Sequence, residues 1–256
     1  MTDLDSIIAS RPGISLAVLD AIADLQTRRD RKYVLTEDEA IVALVSVQDR
    51  LAALEINGIR SFQYRSLYFD TPDLSSYLGA ATSRRRRYKV RVRQYVDHGN
   101  SMLEVKTRGV RETTVKHRVA YDTANPEQLT SEAMGFIDHM VGRPALGASL
   151  VASMWTGYQR STLVDTDDNS RITIDRRVQA APVDGAWRQI TDRVIVETKA
   201  AGDATPLDYV LWSHGIRPVR VSKFAAAMAL HNPSLPANKW RRVLRRHFVR
   251  PFTNTF

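Results

Sequence analysis

The spacing of apolar and polar positions changes character twice along the chain. Residues 1–27 carry apolar positions at helical spacing, interrupted at Pro12-Gly13, which predicts a helical lead-in broken once. Arg28 to Leu35 reads as a strand. Thr36 and Glu39 then have the spacing of a capping box, in which each side chain satisfies a free N–H of the helix start. Ile41, Leu44, Val45, Leu51 and Leu54 follow at helical spacing and predict a helix to about Leu54.

From Tyr64 the period becomes two. Tyr64–Asp70, closed by Thr71-Pro72-Asp73, is the first of a run of strands, with others at 86–96, 101–107 and 112–121. His98-Gly99-Asn100 and Arg108-Gly109 serve as the turns between them. A helical stretch at 126–141 interrupts this run. Strands return at 156–164, 171–179 and 191–199, and helices near 207–214, 222–230 and 238–248 close the chain. The expected organisation is a lead-in over 1–27, a main domain over 28–231 and a basic helix and tail over 232–256.

Successive strand residues point to opposite faces, so the alternation assigns side chains to faces. Arg87, Lys89, Arg91 and Arg93 share one face, and Tyr88, Val90 and Val92 the other. Glu104 and Lys106 stand opposite Leu103 and Val105, and Thr114, Lys116 and Arg118 opposite Val115 and Val119. Arg171, Thr173 and Asp175 alternate with Ile172 and Ile174; Arg193, Glu197 and Lys199 alternate with Val194, Val196 and Thr198. An ordinary half-buried antiparallel sheet has one wet face of this kind. A wet face normally intersperses both signs, however, because like charges across a ladder repel. If the strands close with their charged faces inward, the cationic lining calls for a dense polyanion as counter-charge.

Charge and composition narrow the partners. The chain of 256 residues has a formal net charge of +9, 43% hydrophobic residues and no cysteine, which excludes disulfides, zinc–thiolate sites and cysteine nucleophiles. The six histidines show neither metal-ligand spacing nor an obvious catalytic triad. No apolar run reaches the roughly 18–20 residues of a spanning helix, and Met1–Ser10 has aspartates where a signal peptide has lysines, so a soluble, cytoplasmic protein is expected. Without zinc-finger spacing or an RNA-binding signature, no nucleic acid partner is expected.

Several short motifs occur in order: Lys32-Tyr33, Ser66-x-Tyr68-Phe69-Asp70-Thr71, Tyr88-Lys89-Val90-Arg91-Val92-Arg93-x-Tyr95 and Leu103-Glu104-Val105-Lys106. They continue as Lys116-x-Arg118, Tyr158-x-Arg160, Val196-Glu197-x-Lys199 and Arg220-Val221-Ser222-Lys223-Phe224. Over roughly Arg28 to Leu230 the sequence resembles the vacuolar transporter chaperone (VTC) polyphosphate polymerase domain of the CYTH-like triphosphate tunnel metalloenzyme superfamily. The resemblance implies an α+β fold: a closed antiparallel eight-stranded β-barrel with flanking helices. It implies an ATP-dependent polymerase that transfers the γ-phosphate to inorganic polyphosphate, with Mn2+ or Mg2+ as cofactor. Phosphate ligands would fall on Lys32, Lys89, Arg91, Arg93, Lys106, Lys116, Arg118, Arg160, Lys199, Arg220 and Lys223. The metal ligand would be Glu197, and Arg91, Arg93, Lys106 and Glu197 would carry catalysis.

Two positions depart from the superfamily's patterns. Its hydrolases open with Glu-x-Glu-x-Lys, where this chain has Arg28, Asp30 and Lys32. Loss of that acid favours polymerisation over hydrolysis, because an anionic acceptor needs no general base. Eukaryotic polymerases carry an arginine where Ala80 stands, and one of Arg84 to Arg87 is the candidate replacement. Two alternatives remain: a triphosphatase on inorganic or nucleoside triphosphate, and a non-catalytic polyphosphate or inositol phosphate module. In the tail, Trp240, Leu244 and Phe248 make an amphipathic helix with Lys239, Arg241, Arg242, Arg245, Arg246 and Arg250. Packing against the barrel is the preferred reading for it, beside guiding polyphosphate or touching an anionic membrane.

Overall fold

The computed structural model describes residues 3–23, 29–109, 114–122, 124–202 and 204–249. The expectations for Arg28, for 112–113 and for the tail beyond 249 lie outside them. The strands are β1 (Gly13–Ile14), β2 (Arg29–Leu35), β3 (Leu51–Leu54), β4 (Phe62–Asp70), β5 (Tyr88–Tyr95), β6 (Asn100–Arg108), β7 (Thr114–Ala120), β8 (Val151–Asp165), β9 (Arg171–Pro182), β10 (Arg188–Gln189) and β11 (Val194–Ala200). The helices are α1 (Leu4–Ala9), α2 (Leu16–Ala23), α3 (Glu37–Val45), α4 (Ser75–Ala81), α5 (Ser131–Val141), α6 (Leu146–Ser149), α7 (Pro206–Ser213), α8 (Lys223–His231) and α9 (Arg241–His247). They form two compact units, the first made of residues 1–62, 158–177 and 192–220, the second of the remainder.

In the first unit the strand order is β2-β11-β9-β8, with β3 beside β8 and β1 beside β3. Tyr33, Leu35, Leu163, Ile172, Ile174, Val194 and Val196 turn to one face and pack with Leu4 and Ile7 of α1, Leu44 of α3 and Leu207 and Leu211 of α7. Full burial of such side chains stabilises by about 1.5–3 kcal/mol each. The sheet must then turn Lys32, Thr173 and Glu197 to the other face, and the registers Glu197↔Lys32 and Glu197↔Thr173 place them in one row.

Thr36 and Glu39 form the expected capping box at α3. The expected continuation of that helix to Leu54 is wrong. The helix stops at Val45, and Leu51–Leu54 is strand β3, all four residues buried and paired to β8 in the register Leu51↔Asp165. A short apolar run fits either period, and the partner strand decides. Asp208 ties α7 to the sheet: its Oδ1 accepts from the Tyr33 hydroxyl (2.6 Å) and the Thr198 hydroxyl (2.8 Å), and its Oδ2 accepts from the Thr205 N–H (2.8 Å).

The second unit has the order β8-β4-β5-β6-β7, with β10 on the far end of β9. Ladders β4–β5, β5–β6 and β6–β7 are antiparallel. Leu67, Phe69, Val90, Val92, Leu103 and Val105 form the core with Ala133 and Ile137 of α5 and Leu146 of α6. Gly99, at φ 68° in the left-handed region that favours glycine, closes the β5–β6 turn. The fold is thus α+β on an antiparallel sheet, and its main strand order contains the expected eight strands. Closure into a barrel calls for a ladder between β2 and β7, and among the described residues none joins them.

Asp208→Ala strands three buried donors together. Urea unfolding is expected to show a loss of about 2–4 kcal/mol, against about 1 kcal/mol for removal of the Thr36 cap; equal, small losses would contradict the role given to Asp208.

Candidate functional site

The second unit presents its polar face as registered rows. Lys89 lies across from Lys106, and Lys106 across from Lys116, so three ammonium groups line up over β5, β6 and β7. The next row is Tyr68, Arg91, Glu104 and Arg118 on β4 to β7. Arg93 stands in the row beyond, opposite Ser66 and Met102. These rows hold six cations on β5, β6 and β7 together with the carboxylate of Glu104. Directly opposed like charges destabilise a ladder, so these rows are not there for the sheet's sake.

Glu104 is fully buried. Arg91 donates to its Oε2 through Nε (2.7 Å) and Nη2, and Arg93 stands 3.8 Å from its Oε1. Burial alone would raise its pKa, but the charges of Arg91, Arg93 and Lys116 prevail and hold the carboxyl well below the usual range. Arg91 also donates to the Tyr68 hydroxyl at 2.9 Å. Lys89, Arg91 and Arg93 overcome the burial of that phenol and bring it down to about 8. Lys106 makes no ion pair or hydrogen bond among the described residues. Burial, then the charges of Arg91 and Arg93, push its ammonium well below the ordinary lysine value.

Helix α8 borders this face. Phe224 stacks on Tyr68 with ring centroids 4.6 Å apart, and Lys89 sits over both rings at 5.7 and 5.6 Å. Lys89 Nζ donates to the hydroxyl of Ser222 (3.0 Å), the residue whose side chain caps α8. Lys223 is the first residue of that helix, next in the chain to Ser222.

The first unit carries a smaller group. Lys32 (2.7 Å) and Lys199 (3.0 Å) both contact Oε1 of Glu197, whose side chain is 12% exposed, and Lys199 stands 3.8 Å from Asp30. Burial opposes ionisation of Glu197, but Lys32, Lys199 and Arg160 hold its pKa far below the usual range. Arg160 grips buried Asp175 with two bonds, Nε to Oδ1 (2.6 Å) and Nη2 to Oδ2 (2.8 Å). The Val219 N–H donates to the Lys32 carbonyl (2.7 Å), which fixes the segment leading to exposed Arg220 against β2.

Among the described residues no group of three or more His, Asp or Glu side chains stands together as a metal cage. Glu197 is a single anionic ligand with two ammonium groups on one oxygen and its Oε2 as a second donor. This set fits a hard divalent ion only when substrate oxygens and water complete the shell.

The residues expected from sequence thus fall into two sets. Lys89, Arg91, Arg93, Lys106, Lys116, Arg118 and Lys223 belong to the second unit; Lys32, Arg160, Lys199, Arg220 and Glu197 to the first. Three contributors were missed in reading the sequence: Tyr68, Asp175 as the partner of Arg160, and Ser222 as the partner of Lys89. The period-two pattern already put Tyr68 on the cationic face, since it lies two residues from Ser66 and is registered to Arg91. No spacing rule could have joined Arg160 to Asp175 or Lys89 to Ser222.

The profile of the family described as the VTC domain matches residues 27–232. No curated protein matches the chain in sequence. Among solved structures, a Bacillus halodurans protein with a provisional adenylate cyclase name is 11% identical, with a TM-score of 0.50, covering 75% of this chain and 92% of its own. A Hippeastrum protein with a provisional adenylyl cyclase name, described as having a dominant triphosphatase activity, is 14% identical with a TM-score of 0.50, covering 83% of this chain and all of its own (100%). At these identities the likeness is one of fold.

The shifted groups on the second unit make stability depend on pH. Tyr68 at about 8, against an ordinary 10, is ionised in the folded chain while still protonated in the unfolded one, so between these values the unfolded state holds more protons. Lys106, with its lowered pKa, acts in the same direction up to the ordinary lysine value. Stability is therefore expected to rise from about pH 8 to pH 10 in urea unfolding, and saturating tripolyphosphate should flatten the rise. A flat or falling profile in the ligand-free protein contradicts this electrostatic account.

Proposed function

From the premise that this chain belongs to the VTC-domain family, we propose that it is a phosphotransferase building inorganic polyphosphate from ATP. One observation carries the reading: the Lys89-Lys106-Lys116 row, flanked by Arg91, Arg93 and Arg118, holds a charge excess that only a polyanion of high charge density matches. Phosphoryl transfer asks a protein chiefly for positioning and for neutralisation of non-bridging oxygens, and lysine and arginine supply both.

In the proposed step a terminal oxygen of the acceptor chain forms a bond to the γ-phosphorus of ATP. The bond from that phosphorus to the β–γ bridging oxygen breaks, and ADP leaves with the electron pair. The acceptor is already an anion, so no base need take a proton. Arg91 and Arg93 are assigned to the γ-phosphate and Lys89, Lys106 and Lys116 to neighbouring phosphates. Glu104 fixes the guanidinium of Arg91 in place. Lys32, Lys199, Arg160, Arg220 and Lys223 are assigned to further phosphate oxygens.

Glu197 is the residue that would hold Mn2+ or Mg2+, and a bound ion would supply Lewis-acid neutralisation of phosphate charge. Lys32 and Lys199 keep this carboxyl ionised at neutral pH. The eight strands of the main order are the setting this reading takes for a triphosphate tunnel.

Purified protein incubated with ATP and Mn2+ or Mg2+ is expected to yield ADP and a polymer that nuclease leaves intact and exopolyphosphatase degrades. Glu197→Gln is expected to lower kcat about 100-fold or more with KM little changed, whereas Arg93→Ala raises KM about tenfold. Orthophosphate as the sole product would make the protein a triphosphatase. Binding without turnover under either metal would make it a non-catalytic module.

A further inference from the structure

The second unit carries another concentration of positive charge, on α9 and on the segment that follows α4. Residues 74–86 and 232–249 contain no acidic residue, yet they hold Arg84, Arg85, Arg86, Lys239, Arg241, Arg242, Arg245 and Arg246. These eight bases nearly equal the formal excess of the entire chain, +9.

The fold joins the two segments. Lys239 Nζ donates to the Ala80 carbonyl (3.1 Å) and to the Ser83 hydroxyl (3.2 Å), and the Tyr77 hydroxyl donates to the Pro236 carbonyl (3.2 Å). The ring of Trp240 lies 5.8 Å from that of Tyr77. Ser83, at φ 58°, ends α4 in the left-handed region and the Arg84 N–H bonds back to Gly79, so Arg84–Arg86 emerge beside the anchor of α9. An open cleft of about 520 Å³ is lined by Asn238, Arg241, Arg242, Arg245 and Arg246. These four arginines are exposed and make no ion pair among the described residues.

We infer that this surface is a second polyanion site, and that its ligand is a long linear polyphosphate chain held outside the proposed catalytic residues. Naming polyphosphate rests on the functional reading above; the existence of the site rests on the charge. Arg241 and Arg245, and likewise Arg242 and Arg246, are four residues apart and so stack along one side of the helix, about 5–6 Å between Cβ atoms. Such a ladder suits an extended anion with a charge on every phosphate. A bilayer suits it less, because a helix that lies in a membrane interface inserts its apolar face. Here Trp240, Val243 and Phe248 are buried in the protein and are not available for insertion.

The test measures binding of long-chain polyphosphate and of tripolyphosphate to the full chain over a salt series. Comparison is made with a variant in which Arg241, Arg242, Arg245 and Arg246 are all changed to Gln. This variant is expected to bind the long chain at least about tenfold more weakly at low salt, with the slope of log affinity against log salt reduced by about 3. Its tripolyphosphate affinity should stay at the wild-type value. A second variant, Arg84, Arg85 and Arg86 to Gln, is expected to lose long-chain affinity in the same way with α9 untouched, which separates lost charge from a disturbed helix.

Unchanged long-chain affinity in both variants overturns the inference. So does loss of binding to phosphatidylserine vesicles with polyphosphate binding intact, or equal competition by an oligothymidylate of matched charge. If ATP gives no polymer but both variants lose long-chain affinity, the reaction assigned above fails and this surface stands. If polymer forms while binding in the variants is unaltered, the reaction stands and this surface fails.

Discussion

Three ammonium groups aligned across adjacent strands repel one another, with the carboxylate of Glu104 in the next row. Lys89, Lys106 and Lys116 are held there because the opposite face, with Val90, Val92, Leu103 and Val105, is buried against α5 and α6. The apolar face fixes the register, and the register fixes the cations. A slip of one residue would send them all to the other side. Hydrophobic burial thus sustains an electrostatic arrangement that would not form by itself, and that a dense anion would relieve. Glu104 offsets part of the repulsion and aims Arg91.

The first unit follows a related logic at smaller scale. Leu35, Ile172, Ile174 and Val196 occupy its core, and the alternate positions bring Lys32 and Lys199 onto Glu197. The two groups differ in sign balance: Glu197 is shared by two lysines, whereas Glu104 is outnumbered by six cations.

Much of this was legible in the sequence, for a physical reason. Strand side chains alternate strictly, so Arg91, Arg93 and Lys106 declare their common face without any knowledge of the fold. The ordered motifs then pointed to the family that residues 27–232 match. What failed or stayed hidden depends on contacts between distant segments. Leu51–Leu54 carries a pattern that serves helix or strand equally, and only β8 selects the strand. Short α4, with Leu74 at φ 58° before it and buried Asp70 accepting from the N–H groups of Ser76 and Tyr77, has too few turns to show a period. The fork between Arg160 and Asp175 joins neighbouring strands fifteen residues apart and leaves no mark in either segment alone.

The central claim is that the cation row exists for a polyanion, and a titration tests it directly. Tripolyphosphate binding to the wild-type chain and to a variant with Lys89, Lys106 and Lys116 changed to Gln is followed by calorimetry from low to physiological salt. The account predicts binding that weakens steeply with salt in the wild type and is reduced at least about tenfold, with a shallower salt dependence, in the variant. Equal affinity and equal salt dependence in the two proteins would contradict it.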